Sequence, residues 1–280
     1  MMNKMKWCLQ LILASGLHLF YLVGSFIGFG FLFQLLEHWN TRLIWRAFGK
    51  GGIFVTGAMG TVIHEGSHAL MALIFGHRIQ EIQWFRPFAG RLDGVLGYVS
   101  HSYDRQNAYQ VVGNFFIGIA PIIGGTLMMM LLFKGLLPDA YSQVKQSIHV
   151  SRYVQWGEEG QFFPLLQQFG RDLSVFLKAM LSSNHLISWR GFLFGVSVYS
   201  ISTHMGLSPA DLKGSWTGLV MLFILMLGIT FITSLLGLNV SAWMPRIITY
   251  NLQVSFFFMV GMVFSCVTLG ISWIFSIFLA

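Results

Sequence analysis

Two histidines and a glutamate stand together in the sequence His64-Glu65-Gly66-Ser67-His68. Residues four positions apart share a face of a helix, so the imidazoles of His64 and His68 can reach one metal ion. Two neutral imidazoles bind Zn²⁺ and leave coordination positions for a third ligand and a water molecule. Bound Zn²⁺ lowers the pKa of that water toward ~7, and Glu65 would take its proton and pass it to a leaving amine. The motif therefore predicts zinc-dependent hydrolysis.

The chain around this motif is strongly apolar. Of its 280 residues, 55% are hydrophobic and 10% are charged, whereas an ordinary soluble domain is about 25% charged. Several apolar stretches reach the roughly 20 residues that a helix needs to cross a bilayer. The composition therefore predicts an all-α polytopic membrane protein, integral and multi-pass in a lipid bilayer, and we expect it in the cell membrane of a bacterium.

The basic residues and the cysteines exclude two other classes of protein. The net charge is +7, but the Lys and Arg residues are scattered between apolar segments without interleaved aromatic residues, so we expect no nucleic-acid partner. Headgroup contacts at the ends of the spans explain them better. Cys8 and Cys266 are too far apart in sequence to build a disulfide framework or a cysteine metal site.

Six spans are the simplest division of the chain. They are predicted at 8–36, 52–76, 109–133, 186–206, 215–237 and 253–279. The segment 77–105 alternates polar and apolar residues between turn-forming Pro and Gly, which predicts a small membrane-associated β-hairpin. Segment 138–185 is a hydrophilic loop with one amphipathic helix predicted near 161–182. This gives a first span with its connection (1–51), a core (52–214) and two C-terminal spans (215–280).

Glu65 is the only acidic residue well inside a predicted span. An ionisable group at that depth costs several kcal/mol unless it is paired or functional. A Glu that is protonated, or hydrogen-bonded to a His for helix packing, is the alternative interpretation. The two histidines in ligand register favour a functional site instead.

A third metal ligand must come from elsewhere, and the best candidates follow the fourth predicted span. Asp211 and His204 are both ligand types, and the nearby Pro and Gly residues would end a helix there. Asp211 could instead be the N-terminal charge or cap of the fifth span. His204 could instead be an interfacial or buried hydrogen-bonded histidine.

These motifs resemble those of the site-2 protease family of intramembrane metalloproteases. That family carries His-Glu-x-x-His in a transmembrane helix, which this chain matches at His64, Glu65 and His68. The resemblance implies an aspartate ligand from a later span, in an Asn…Pro…Leu-Asp-Gly pattern, and this role carries over to Asp211 in Pro209-Ala-Asp211-Leu-Lys-Gly214. This stretch departs from the family pattern in three ways: Pro209 is closer to Asp211 than the family's Pro is to its Asp, a Lys stands before Gly214, and no Asn precedes the Pro. His204 lies near the position of the family's asparagine and could bind substrate backbone or the oxyanion, or coordinate the metal.

The resemblance covers about 52–214 and extends to two further features. The family's glycine-rich hairpin, which can pair with an unwound substrate, is similar to 77–105, so Gly94 and Gly97 are expected in that role. The segment Gly113-Asn114-Phe-Phe-Ile-Gly-Ile-Ala-Pro121 is similar to a neighbouring helix of the family, and by residue type Asn114 is a candidate oxyanion donor. Leu92-Asp93-Gly94 repeats the family's aspartate triplet, but a turn-forming Asp-Gly pair explains it.

The expected function is that of an intramembrane zinc metalloprotease. It would hydrolyse peptide bonds in or near transmembrane segments of other membrane proteins, with a zinc-bound water activated by Glu65. Two alternatives remain: a transporter that moves metal ions or protons, and a non-catalytic membrane scaffold with a structural metal site. The sequence predicts neither the substrate nor the oligomeric state.

Overall fold

The computed structural model describes residues 4–147, 162–181, 187–238 and 244–279. The elements in chain order are α1 (Lys4–Ile74), β1 (Arg78–Gln83), α2 (Gly90–Asp93), β2 (Tyr98–Ser102), α3 (Ala108–Gly118), α4 (Ala120–Leu136), α5 (Pro138–Ser147), α6 (Phe162–Leu181), α7 (Trp189–Ser202), α8 (Pro209–Leu235) and α9 (Met244–Phe278). The described chain is thus helical apart from one small sheet, as the sequence predicts.

Three helices in the described chain are long and apolar enough to cross a membrane. They are Met5–Ile74, Pro209–Leu235 and Phe257–Phe278, and the pair α3 and α4, bent by 57° at its junction, adds a fourth if the pair is one span. The prediction of a helical membrane protein is confirmed at this level, whereas six spans are not shown. The predicted fourth span contains α7, which has 14 residues and is shorter than the roughly 20 that a crossing needs.

Helix α1 is broken at Gly49, which has φ 61° and ψ −156°. A positive φ of this kind is the conformation that glycine adopts without a steric penalty. The break divides α1 into a first arm (4–48) and a second arm (50–74), so the predicted spans 8–36 and 52–76 lie on opposite sides of it. The helix also continues beyond residue 36, where the first span was predicted to end.

The predicted hairpin is present as an antiparallel pair of strands. β1 and β2 pair from Arg78 opposite Ser102 to Gln83 opposite Tyr98, with an irregularity between Ile79 and Glu81. The connection contains the short helix α2, which ends at Gly94 with φ 78°. This glycine lets the chain turn back toward the second arm of α1.

An aromatic cluster joins four of the helices. Phe133 of α4 makes ring contacts with Phe176 of α6, Phe194 of α7 and Phe264 of α9, at centroid distances between 5.5 and 6.3 Å. All four rings are buried. Helix α6 matches the amphipathic helix predicted near 161–182, while residues 148–161 and 182–186 of the surrounding region lie outside the described residues.

Candidate metal centre

Three potential ligands from two helices converge at one point. His64 and His68 lie one turn apart on the second arm of α1, and their Nε2 atoms are 3.1 Å apart. Asp211, near the start of α8, places Oδ1 3.3 Å from His68 Nε2 and Oδ2 3.8 Å from His64 Nε2. Within the described ranges, these residues form the one group of three His, Cys, Asp or Glu side chains that could hold a metal ion.

The distances between these atoms fit a zinc site. In a tetrahedral site with Zn–N and Zn–O distances of roughly 2.0–2.2 Å, neighbouring ligand atoms are about 3.3 Å apart. The separations at His68, 3.1 Å to His64 Nε2 and 3.3 Å to Asp211 Oδ1, agree with that value. Asp211 presents Oδ1 to His68 and Oδ2, at 3.8 Å, to His64, so a carboxylate that binds through one oxygen would have to turn to reach the tetrahedral distance from both imidazoles. The three side chains could therefore hold a metal ion, and a site with the bond lengths of zinc needs the Asp211 carboxylate to turn.

Hydrogen bonds on the far side of each imidazole fix which nitrogen faces the centre. His64 Nδ1 lies 2.9 Å from the carbonyl oxygen of His204, and His68 Nδ1 lies 2.7 Å from that of Ile117. Because a carbonyl oxygen can only accept, each Nδ1 carries a hydrogen and each neutral ring presents a lone pair on Nε2. A carbonyl partner of this kind is what metal-binding histidines usually have.

Two lone pairs and a carboxylate thus face one another with no donor between them. A single added proton would pair two of the three groups, whereas a divalent cation would pair all three. In the described chain, no Lys or Arg forms an ion pair with Glu37, Glu65 or Asp211, and Arg86 pairs instead with Asp93 on the hairpin. The excess of negative charge in the site also favours a cation.

The start of α8 holds the Asp211 carboxylate in place. The backbone N–H of Ser208 donates to Asp211 Oδ2 at 2.7 Å, and the backbone N–H of Asp211 donates to Ser208 Oγ at 3.1 Å. This reciprocal pair is a capping box, with Pro209 in the first turn of the helix. Asp211 therefore serves as a helix-capping residue and as a potential ligand at once, so the two interpretations of this residue are compatible.

Glu65 lies beside the three ligands and borders two cavities. It is buried, with 7% of its surface exposed. A cavity of about 590 Å³ is lined by Glu65, all three potential ligands, His101 and Asn114, among others. A second cavity of about 330 Å³ is lined by Glu65, His64, Glu37, Thr61 and His204, among others. A group at this junction can exchange a proton with contents of either cavity.

Gly97 brings the hairpin into contact with the catalytic candidate. A Cβ atom at this position would lie 2.9 Å from Glu65 Cγ and 2.8 Å from the carbonyl oxygen of Gln83, closer than real Cβ contacts. The absence of a side chain therefore lets the chain just before β2 pack directly on the second arm of α1. Gly94 and Gly97 both line the smaller cavity.

The other candidates from the sequence have distinct surroundings. The ring of His204 packs against Gly57 and Gly60 of the second arm, while its carbonyl oxygen accepts the hydrogen bond from His64. Asn114 is buried, at 5% exposure, and its Nδ2 has no hydrogen-bond partner among the described residues. His204 thus supports a potential ligand through its backbone, and Asn114 borders the larger cavity with an unpaired donor.

Asp93 lies on the exposed hairpin, away from the three ligands. Its Oδ2 pairs with Arg86 Nη2 at 2.9 Å, and its Oδ1 accepts from the backbone N–H of Val95. The hydrogen bond from Val95 and the Arg86 guanidinium hold the pKa of this carboxyl below its usual value. The surroundings of Asp93 are those of a turn residue, as its sequence context predicts.

Glu37 is a second carboxylate at the site that the sequence did not indicate. It accepts a hydrogen bond from the backbone N–H of Gly206, and its carboxylate lies where a Cβ on Gly206 would be. Glu37 follows directly after the first predicted span, 8–36, so the prediction that singled out Glu65 as the only acidic residue well inside a span does not include it. The sequence does contain one signal, the Gly49-Lys-Gly-Gly52 run, which favours a break in the helix. At 1.5 Å per residue, Glu37 lies about 18 Å before Gly49 and His64 about 22 Å after it. If the helix folds back at this break, the two residues come to lie at similar distances from it.

Comparison of the chain with protein-family models, curated proteins and solved structures gives no match.

Proposed function

We propose that the protein is an intramembrane zinc metalloprotease that hydrolyses peptide bonds in or near transmembrane segments of other membrane proteins. The observation that carries this proposal is the convergence of two imidazole lone pairs and the Asp211 carboxylate at distances suited to zinc. Glu65 beside them and a cavity of about 590 Å³ supply the base and the space that peptide hydrolysis needs.

His64, His68 and Asp211 would hold the ion. Bound zinc supplies polarisation of the scissile carbonyl and an acidified water. Glu65 accepts the proton of that water and returns it to the leaving amine, a role open to a carboxylate that borders both cavities. The free Nδ2–H of Asn114 can donate to the oxygen that becomes negatively charged.

The hairpin offers a way to hold an unwound substrate. An extended peptide can add to the edge of a sheet through main-chain hydrogen bonds, and residues of β2 line the larger cavity next to the ligands. Gly97 brings this segment against Glu65. A transmembrane segment that unwinds locally would therefore have its backbone held beside the site. The protein itself would be a multi-pass protein of a bacterial cell membrane.

Two measurements test the proposal together. The purified full chain should contain one zinc per molecule, and it should cleave some members of a panel of fluorescently tagged single-span membrane proteins in proteoliposomes. The Glu65→Gln variant should keep its zinc and its helical circular dichroism but lose cleavage. A metal-free wild type, or cleavage that is unchanged in Glu65→Gln, would overturn the proposal.

The alternative functions predict other results. A structural zinc site has four protein ligands and no open position, whereas the described residues bring three ligands together beside a cavity, which favours an open site. A transporter would carry zinc or protons across proteoliposomes, and this flux would survive in Glu65→Gln without any proteolysis.

A further inference from the structure

A second pair of histidines joins the base of the hairpin to α3. His77 is buried, at 4% exposure, and its Nε2 lies 2.8 Å from the carbonyl oxygen of Gln110. Its Nδ1 lies 2.9 Å from Nδ1 of His101 on β2. Tyr103 stacks on the ring of His77, at 5.1 Å between ring centroids. The pair is therefore held from several sides.

These contacts fix the hydrogen positions along the pair. The Gln110 carbonyl can only accept, so His77 carries its hydrogen on Nε2 and, as a neutral ring, presents a lone pair on Nδ1. The Nδ1 of His101 must then donate to His77. This leaves Nε2 of His101 as an acceptor, and burial together with the adjacent His77 lowers the pKa of His101, which favours its neutral form.

His101 lines the larger cavity together with Asn114 and the three potential ligands, and its Nε2 is the ring nitrogen that does not contact His77. Asn114 is buried, with its Nδ2 unpaired in the described structure. The wall of the cavity therefore includes an acceptor from His101, and Asn114 lies in the same wall with a buried, unpaired donor. A peptide group carries one acceptor and one donor of its own, so the extended backbone of a substrate complements this wall.

We propose that His101, oriented by His77, accepts a hydrogen bond from a main-chain N–H of the substrate and so selects against proline or an N-alkylated residue at that position. This inference rests on the proposed protease function. His101 is the residue that touches the substrate, and His77 is a positioning residue that keeps the acceptor nitrogen of His101 facing the cavity. A substrate without this N–H would leave that nitrogen unpaired.

The probe that tests the inference is a series of apolar tripeptide hydroxamates, which bind zinc through the hydroxamate group. One compound is unmodified, and the others carry a single N-methyl group at successive amides. Affinities are measured by titration calorimetry on the zinc-loaded full chain in detergent. One N-methyl compound should bind wild type about five-fold more weakly, since one hydrogen bond contributes about 1 kcal/mol and tenfold corresponds to 1.4 kcal/mol.

Variants assign this difference to the histidine pair. His101→Phe should bind the unmodified compound and that N-methyl compound equally, with unchanged zinc content, whereas His101→Gln, which keeps an acceptor, should restore part of the difference. His77→Phe should reduce the difference without removing zinc. Ser100→Ala is the matched control on the same strand, because its hydroxyl bonds to Gln80 on the hairpin and the difference should persist.

The possible failures are distinguishable. If the hydroxamates bind but the N-methyl effects are the same in wild type and both His101 variants, this inference is overturned and the metal site stands. If the zinc-loaded protein binds none of the hydroxamates, or the chain binds no zinc, the inference fails together with the proposed function.

Discussion

Replacing Asp211 by Asn separates the two roles that this side chain has in the structure. An asparagine oxygen can still accept from the backbone N–H of Ser208, which now bonds to Oδ2 at 2.7 Å. The amide nitrogen then takes the place of Oδ1, 3.3 Å from His68 Nε2, and donates to the lone pair that zinc would use. The cap is kept, and the ligand becomes a competing donor.

The expected loss of zinc affinity can be estimated from variants that remove only a residue supporting a ligand. Loss of a partner that only orients a ligand costs about 10–100-fold in metal affinity. Asp211→Asn removes a ligand and its charge, so we expect a loss of at least about 100-fold, or about 2.7 kcal/mol at 1.36 kcal/mol per tenfold. Without metal, the free energy of unfolding of the variant should lie within about 1 kcal/mol of that of the metal-free wild type, because the helix cap is retained.

Two matched variants bracket this result. Ser208→Ala removes the hydroxyl that accepts from the Asp211 backbone N–H and should weaken zinc binding by about 10–100-fold, as expected for a supporting partner. Asp93→Asn changes a carboxylate of the exposed hairpin that pairs with Arg86, and it should leave zinc affinity unchanged.

Competition with a chromophoric zinc chelator, on protein purified in detergent, measures these affinities directly. Circular dichroism on the same samples reports whether the helices are intact. Wild-type affinity in Asp211→Asn would refute the assignment of the third ligand. An equal loss in Asp93→Asn would show that the effect does not come from coordination at this site.

Three further outcomes follow from the same geometry. Glu65→Gln should keep zinc within a few-fold but slow cleavage by about 10²–10⁴-fold, the usual contribution of a general base; a loss of zinc with the activity would instead make Glu65 a ligand. Glu37→Leu should lower the free energy of unfolding by about 1–3 kcal/mol, because the Gly206 N–H loses its acceptor. Glu37→Gln keeps an acceptor and should lower it less. Chemical denaturation of the two variants measures both values, and equal losses would contradict this expectation. Gly97→Ala should reduce cleavage while zinc content stays constant. The new methyl group would lie 2.8 Å from the Gln83 carbonyl oxygen and so displace the hairpin from Glu65. A wild-type cleavage rate in this variant would show that the contact is unimportant.

The local parts of the site could be predicted from the sequence, because they depend on short-range geometry. The spacing of His64 and His68 places both rings on one helical face whatever the rest of the chain does. The hairpin between β1 and β2 was likewise visible in alternating residues and turn glycines. Asp211 needed more than spacing, since its proximity to His68 depends on how α8 packs against α1, and the family resemblance supplied that expectation.

The parts that were missed depend on long-range packing. Glu37 reaches the site because α1 breaks at Gly49. The glycine run at 49–52 indicates such a break, but it does not indicate which residues the break brings together. The pair of His77 and His101 depends on the register of the hairpin and on where α3 begins. His204 was considered for its ring, whereas its carbonyl oxygen is the atom that contacts His64.

The carbonyl groups that orient the two imidazoles belong to chain segments far from the histidines themselves. Ile117 lies in the last turn of α3 and His204 follows the end of α7, while Asp211 opens α8. During synthesis, the N-terminal residues emerge first, so a growing chain that stops before residue 211 has no complete centre. The candidate metal centre is consequently completed late, and a truncated or half-inserted copy would lack it.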